Sequence, residues 1–192
     1  MNIFVLDRDP NKAAQYHNNT HVRKMLLEGY QMLSTVIWMK DMTFAESAYA
    51  NGTLYWPSHY NHRCTRWVEK SYDNFRWMHE LVQALSREFT FRHPEDKVHK
   101  SFIRCSPTVN MWEESCIKDD GICWEQEGLT DFALAMPPRY YKNNDDPVEA
   151  YRTYYRECKR FTKAGWDMAK WTKRGEPYWW KEKTSLYVKK DS

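Results

Sequence analysis

His17-Asn18-Asn19-Thr20-His21-Val22-Arg23-Lys24-Met25-Leu26-Leu27-Glu28-Gly29-Tyr30-Gln31-Met32-Leu33-Ser34-Thr35-Val36-Ile37-Trp38 is the stretch that decides the fold. Within it Val22, Met25, Leu26, Gly29, Met32, Leu33, Val36 and Ile37 recur every three or four residues, which at about 100° per residue gathers them on one face. The spacing predicts a long amphipathic helix over residues 11–38. Its start lies in Asp9-Pro10: a carboxylate caps the first turn, and proline at the first helical position gives up no amide the helix needs. Ahead of it, residues 3–6 read as a short buried strand or extended segment.

Working outward, Trp67, Val68, Ser71, Phe75, Met78, Val82, Leu85 and Phe89 predict a second long helix over residues 65–91, stopped by His93-Pro94. Residues 39–63 lack periodicity and hold Asn51-Gly52 and Trp56-Pro57, which predicts a loop or short hairpin. Residues 94–144 carry Cys105, Cys116, Cys123, Pro107, Gly121, Gly128 and the Met136-Pro137-Pro138 turn. They predict an irregular insertion of short helices forming a lid over the core. Asp145-Asp146-Pro147-Val148-Glu149 then opens a third helix, with a cap, a proline at the first position and an acid in the first turn. That helix carries Val148, Tyr151, Tyr155, Cys158 and Phe161 and is expected to end near Gly165 or Gly175. The expectation is a mainly α protein: three long helices around an aromatic- and Met-rich core, with a short N-terminal extended segment and an irregular insertion. A single domain over residues 1–180 and a frayed basic tail over residues 181–192 complete it.

Composition supports a folded chain. Ten tryptophans, thirteen tyrosines and nine methionines supply the core, since each aromatic ring buries roughly 150–250 Å². Net charge is only +3, and six glycines in 192 residues disfavour turn-rich all-β folds. Neither GxGxxG nor GxxxxGK[ST] occurs, so the two commonest phosphate-loop motifs are absent. No apolar run reaches the length of a membrane span, and the opening residues lack the basic start and long apolar region of a signal peptide. Five cysteines without CxxC spacing point to reduced thiols and a cytoplasmic setting.

Beside the apolar face of the first helix runs a polar stripe: His17, His21, Lys24, Glu28, Gln31 and Thr35. Two imidazoles, an amine, a carboxylate and an amide in register suit an anionic ligand and proton transfer; a helix edge bonded to neighbouring loops is the plainer alternative. Arg63, Arg66, Lys70, Asn74, Trp77 and Glu88 form a matching edge on the second helix. Cations interleaved with a ring suit phosphate contact with base stacking, and a solvated basic face is the alternative. His99 and Lys100, with Arg92, His93 and Lys97, either extend this patch or cap a helix C-terminus, the reading preferred for Arg92 and His93. His79 is expected at the surface.

Metal readings are weaker. His17 and His21 stand four apart, the spacing zinc helices use, yet no HExxH occurs. His59, His62 and Cys64 are dense enough that Cys105, Cys116 or Cys123 could complete a structural zinc site; the expectation is no metal and no cofactor. Cys64 beside His62 is also a candidate thiol nucleophile.

The stretches Asn2-Ile3-Phe4-Val5-Leu6-Asp7, His17…His21-Val22…Lys24-Met25…Glu28, His62…Cys64-Thr65…Trp67…Asn74-Phe75…Trp77, Gly128-Leu129-Thr130…Ala135-Met136-Pro137 and Asp145-Asp146-Pro147-Val148-Glu149-Ala150-Tyr151 resemble a protein family of bacteriophage genomes without an established function. The resemblance implies a host-cytoplasmic location. The short N-terminal segment, the helix bearing His, a cation and Glu, and the aromatic basic end are also similar to the phage pyrimidine-dimer DNA glycosylases of the endonuclease V type. That similarity implies an N-terminal amine as nucleophile with Glu28 alongside, and Lys24 or His21 on phosphate. Asn2 is too large for ready removal of Met1, so the amine would be that of Met1.

Together these make an enzyme acting on DNA or a nucleotide the leading expectation, with base excision or base modification as its chemistry. Glu28 acts as general acid/base or stabilises an oxocarbenium-like centre; Lys24 binds phosphate or forms a Schiff base; His17 and His21 orient substrate. Arg66 and Lys70 hold phosphates and Trp77 stacks on a base. The competing expectations are a non-catalytic module that binds a host protein through its aromatic residues, and a metal-dependent hydrolase using His17 and His21.

Overall fold

The computed structural model describes residues 1–94, 97–118, 122–160, 165 and 167–181. Among them there are seven α-helices, two short 3-10 turns and no named strand. The helices are α1 (Pro10–Tyr16), α2 (Asn19–Lys40), α3 (Met42–Ala50), α4 (Arg63–Lys70), α5 (Tyr72–Arg92), α6 (Lys100–Lys118) and α7 (Pro147–Cys158). No helix among the described residues is long and apolar enough to cross a membrane.

The expected first helix is two helices. The chain leaves helical geometry at His17 and Asn18, and the Asn18 side chain accepts from the His21 amide to start α2. The second helix is likewise broken at Ser71, whose hydroxyl accepts from the Asn74 amide while its backbone is extended. In both places a strong N-cap residue lies inside a continuous apolar period, and the cap wins. Asp9-Pro10 and Asp146-Pro147 cap α1 and α7 as the sequence predicts. The α7 helix stops at Cys158, short of either glycine.

Residues 39–63 contain α3 rather than a hairpin, and the region expected to be an irregular lid holds the third long helix, α6. Pro107 lies within α6 on its exposed side, where a missing amide bond costs least. The opposite side is core: Cys105, Val109 and Trp112 have no solvent exposure. The α2 and α5 helices make the closest long packing, with Gly29 set against Val82 and Met78.

The N-terminal segment is buried and extended, not a strand, with residues 3, 5 and 6 fully covered. Asn2 Oδ1 accepts from both the Ile3 and the Phe4 amide, at 2.8 and 3.0 Å. This local turn carries Phe4 at φ +34°, an uncommon conformation for a bulky residue. It turns the Phe4 ring in among His21, Tyr151, Tyr154 and Tyr155. At the far end, residues 167–181 form a strap. Lys170 O accepts from Asn19 N, Trp171 Nε1 donates to Tyr16 O, and Arg174 pairs with Glu88, while Trp179 is fully buried. The predicted frayed tail beyond residue 181 lies outside the described residues.

Candidate functional site

Glu28 is the centre of one place where predicted groups meet among the described residues. Its Oε2 lies 3.9 Å from the Met1 amino nitrogen and accepts from the Asn2 amide at 3.2 Å, while Oε1 is 3.5 Å from Lys24 Nζ. The segment that delivers the amine is pinned: Asn2 Nδ2 donates to Ala135 O, and the Met1 side chain is almost entirely covered. Met1 borders an open cavity of about 450 Å³, lined also by Asn61, His62, Arg63, Met136 and Tyr154, with Ala135 and Pro137.

The cavity walls follow from local structure. His62 is the N-cap of α4: its Nδ1 accepts from the Cys64 amide at 3.2 Å, which leaves the ring hydrogen on Nε2. Burial lowers the His62 pKa, the Met1 amine, His59 and Arg63 lower it further, and Glu28 opposes them. Arg63, the first residue of α4, donates from Nη1 to Leu134 O at 2.7 Å. That bond, the Asn2 bond to Ala135 O, and Tyr151 donating to Ala133 O hold the far wall in place. Lys159 sits 4.8 Å from the centre of the Tyr154 ring.

The other half of the first-helix stripe is elsewhere. His17 is fully buried, with Nδ1 donating to Ala13 O at 2.7 Å and no partner for Nε2. His21 is 5% exposed and lies 2.7 Å from the Tyr155 hydroxyl. That hydroxyl also accepts from the Asn18 amide, at 3.0 Å. Desolvation lowers His17 to about 4 and His21 to about 3, the charge of His17, Lys159 and Lys24 adding to the latter. Both rings are neutral core groups and do not reach a cleft, which removes them as substrate-orienting residues and as zinc ligands. Gln31 is half-buried on α2, its carbonyl accepting from Thr35.

The α4–α5 edge is also divided. Arg63 lines the Met1 cavity and, with Arg66 and Lys70, a second depression of about 260 Å³. Glu125 and Asp131 line that depression too, and Arg66 is paired to Glu69, which also holds Lys40 at 2.7 Å. Asn74 is fully buried, bonded to Trp67 O and Thr130. Trp77 is 5% exposed, donates to Arg8 O and packs on Trp67 and Phe132, so it offers no face to a base. Glu88 is buried between Arg92 and Arg174. His99 accepts from the Ser101 amide at the start of α6, beside exposed Lys100; its edge meets the Phe89 ring. His93 bonds back to Phe89 O, the helix-end role expected of it. His79 is buried rather than at the surface, with Nδ1 at 2.5 Å from Glu113.

Among the described residues no group of three or more His, Cys, Asp or Glu is placed to hold a metal ion. Cys64 is buried and its thiol pushed up to about 12 by desolvation, which removes it as a nucleophile. Sequence reasoning missed Tyr154, Met136 and Pro137 as cavity residues, and weighed His62 only as a partner for Cys64 or a metal. No family model, curated protein or solved structure matches this chain.

Proposed function

We propose that this chain is an enzyme of bacteriophage type acting on DNA or a nucleotide, with a glycosylase- or lyase-like chemistry centred on Glu28 and the Met1 amine. The observation that carries the reading is the amine 3.9 Å from a carboxylate at the edge of a cavity flanked by His62 and Arg63. The two halves of a nucleophile–base pair stand there at salt-bridge distance, which closes to a hydrogen bond when substrate binds. In the reaction Glu28 takes a proton from the ammonium group. The freed lone pair attacks C1′ of the sugar as the base departs with the electrons of the glycosidic bond and takes a proton from the new ammonium nitrogen. The sugar ring then opens, Glu28 returning its proton to the ring oxygen, and leaves an iminium that hydride reduces. Lys24, 60% exposed beside Glu28, serves phosphate contact rather than covalent chemistry, because nothing desolvates it.

The test is reduction with borohydride during incubation with duplex DNA carrying an abasic site, after the mass of the purified chain has identified its first residue. A covalent adduct mapping to Met1 is expected, reduced at least about 100-fold in Glu28→Gln, the lower range for loss of a positioned acid/base, and retained in Lys24→Ala. Absence of any adduct sinks the proposal.

A second reading, a protein-binding module without chemistry, is favoured by one observation. Trp38, Tyr49 and Trp56 form a cluster of rings with centres 5.2–6.1 Å apart, and Trp56 is 62% exposed. Exposed ring clusters of this kind anchor interfaces.

A further inference from the structure

We infer that the Met1 cavity binds a phosphate monoester, held by His62 Nε2–H and the Arg63 guanidinium. The inference deepens the reading above and rests on the same cavity being the substrate site; it does not depend on the amine acting as nucleophile.

Three observations converge. The first is charge. Met1 and Arg63 line the cavity, Lys24 pairs with Glu28 as the Met1 amine does, and Lys159 covers the Tyr154 ring. Glu28 is the one carboxylate among these groups, and Arg63 has no carboxylate within salt-bridge distance among the described residues. A dianion balances this excess better than a diester with its single charge.

The second is the direction of the donors. The α4 helix claims Nδ1 of His62 as its cap acceptor, so Nε2 is left as a fixed N–H donor on a half-buried, cavity-lining ring. Arg63 uses one nitrogen on Leu134 O and keeps the rest of a five-donor fork for a ligand. Both side chains are therefore oriented before any ligand arrives, which lowers the ordering cost of binding.

The third is size and lining. About 450 Å³ falls within the range of small-ligand sites, and Tyr154, Met136 and Pro137 add an aromatic and apolar part to the lining beside the donors. This combination suits a flat heterocycle joined to a phosphate. The phosphate monoester has two sources, a free mononucleotide or the 5′-phosphorylated end of a DNA strand.

Titration of the full chain by calorimetry and thermal shift decides the matter, with inorganic phosphate, a 5′-mononucleotide, its unphosphorylated nucleoside, and matched single strands with and without a 5′-phosphate. Phosphate and the mononucleotide are expected to bind, and the nucleoside at least tenfold more weakly. His62→Ser keeps a strong helix cap but removes the ring N–H donor from the cavity. It and the exposed Arg63→Gln should each weaken phosphate about tenfold or more while the unliganded melting temperature stays within a few degrees. Preference for the phosphorylated strand over the mononucleotide assigns the DNA end as the source, and the reverse assigns the nucleotide; either supports the inference. No binding of phosphate at 10 mM overturns it, as does binding that both variants leave unchanged. Intact phosphate binding in a protein that never forms the borohydride adduct retires the amine chemistry alone.

Discussion

Where α1 hands over to α2, His17 and His21 lie at 0% and 5% exposure against Phe4 and Tyr155. Two turns further along the same helix, Glu28 keeps 15% of its side chain in solvent between Lys24 and the Met1 amine. In sequence these residues form one stripe of the same polarity. In the fold the first pair is dry and neutral, and the second is an ion cluster partly open to solvent. The difference comes from a partner neither the helix nor its periodicity contains: the N-terminal segment, which covers the histidines with the Phe4 ring and ends with its amine at Glu28.

Acid should separate the two ends most strongly. His17 and His21 have folded-state pKa values lowered to about 4 and 3 by burial, so between those values and about 6.5 the unfolded chain binds more protons than the folded one. Their contribution is fully present above about pH 6.5 and is lost as pH falls, by about 2 kcal/mol per histidine at pH 5. Urea unfolding at pH 7, 6 and 5 should show the decline, and His21→Gln should flatten it by about half. An unchanged slope in that variant would place the acid sensitivity elsewhere.

Tyr155→Phe comes next. It leaves the Asn18 amide and His21 Nδ1 unpaired in the core, a loss of about 2 kcal/mol readable from the urea midpoint. Phosphate affinity at the Met1 cavity should be unaffected, and a parallel drop there would mean the two ends are coupled.

Gly29→Ala tests the packing that holds both ends on one rod. A methyl group there runs into Val82 and Met78; crowding of about 1–3 kcal/mol is partly offset by alanine's helix preference of up to about 1. A net destabilisation of about 1 kcal/mol is expected, and a stabilised variant would show that α5 yields freely.

Lys24→Ala should do least to stability, below about 0.5 kcal/mol, because a pair with a 60% exposed lysine is screened by solvent. A larger effect by chemical unfolding would mean that the open end of the stripe carries structural weight too.

Much of the architecture could be read from residue pattern. The periodicity of residues 22–37, the Asp-Pro helix starts and the aromatic core all stand in the fold. The breaks at Asn18 and Ser71 lie inside an apolar period that runs straight through them, so periodicity alone does not register them. The α6 helix was hidden because Pro107 and scattered cysteines read as breakers, although Pro107 needs only a solvent-facing position. Burial of His17, His21, Asn74 and Trp77 was not legible, since each is covered by segments more than fifty residues away or by the extended N-terminal segment. The place of Glu28 beside the amine was anticipated only by resemblance, and the His62 cap geometry not at all.

The C-terminal strap has a consequence for the order of events as the chain folds. Its bonds join Asn19 to Thr172 and Tyr16 to Trp171, partners 153 and 155 residues apart, and it packs on surfaces that exist only once α1, α2 and α7 are together. Contacts of such long sequence separation come after local helices have formed. Interactions absent from the transition state act on the rate of unfolding rather than of folding. The strap is therefore expected to act as a kinetic latch: loosening Trp171 or Arg174 should shorten the lifetime of the native state and leave the speed of its formation nearly unchanged.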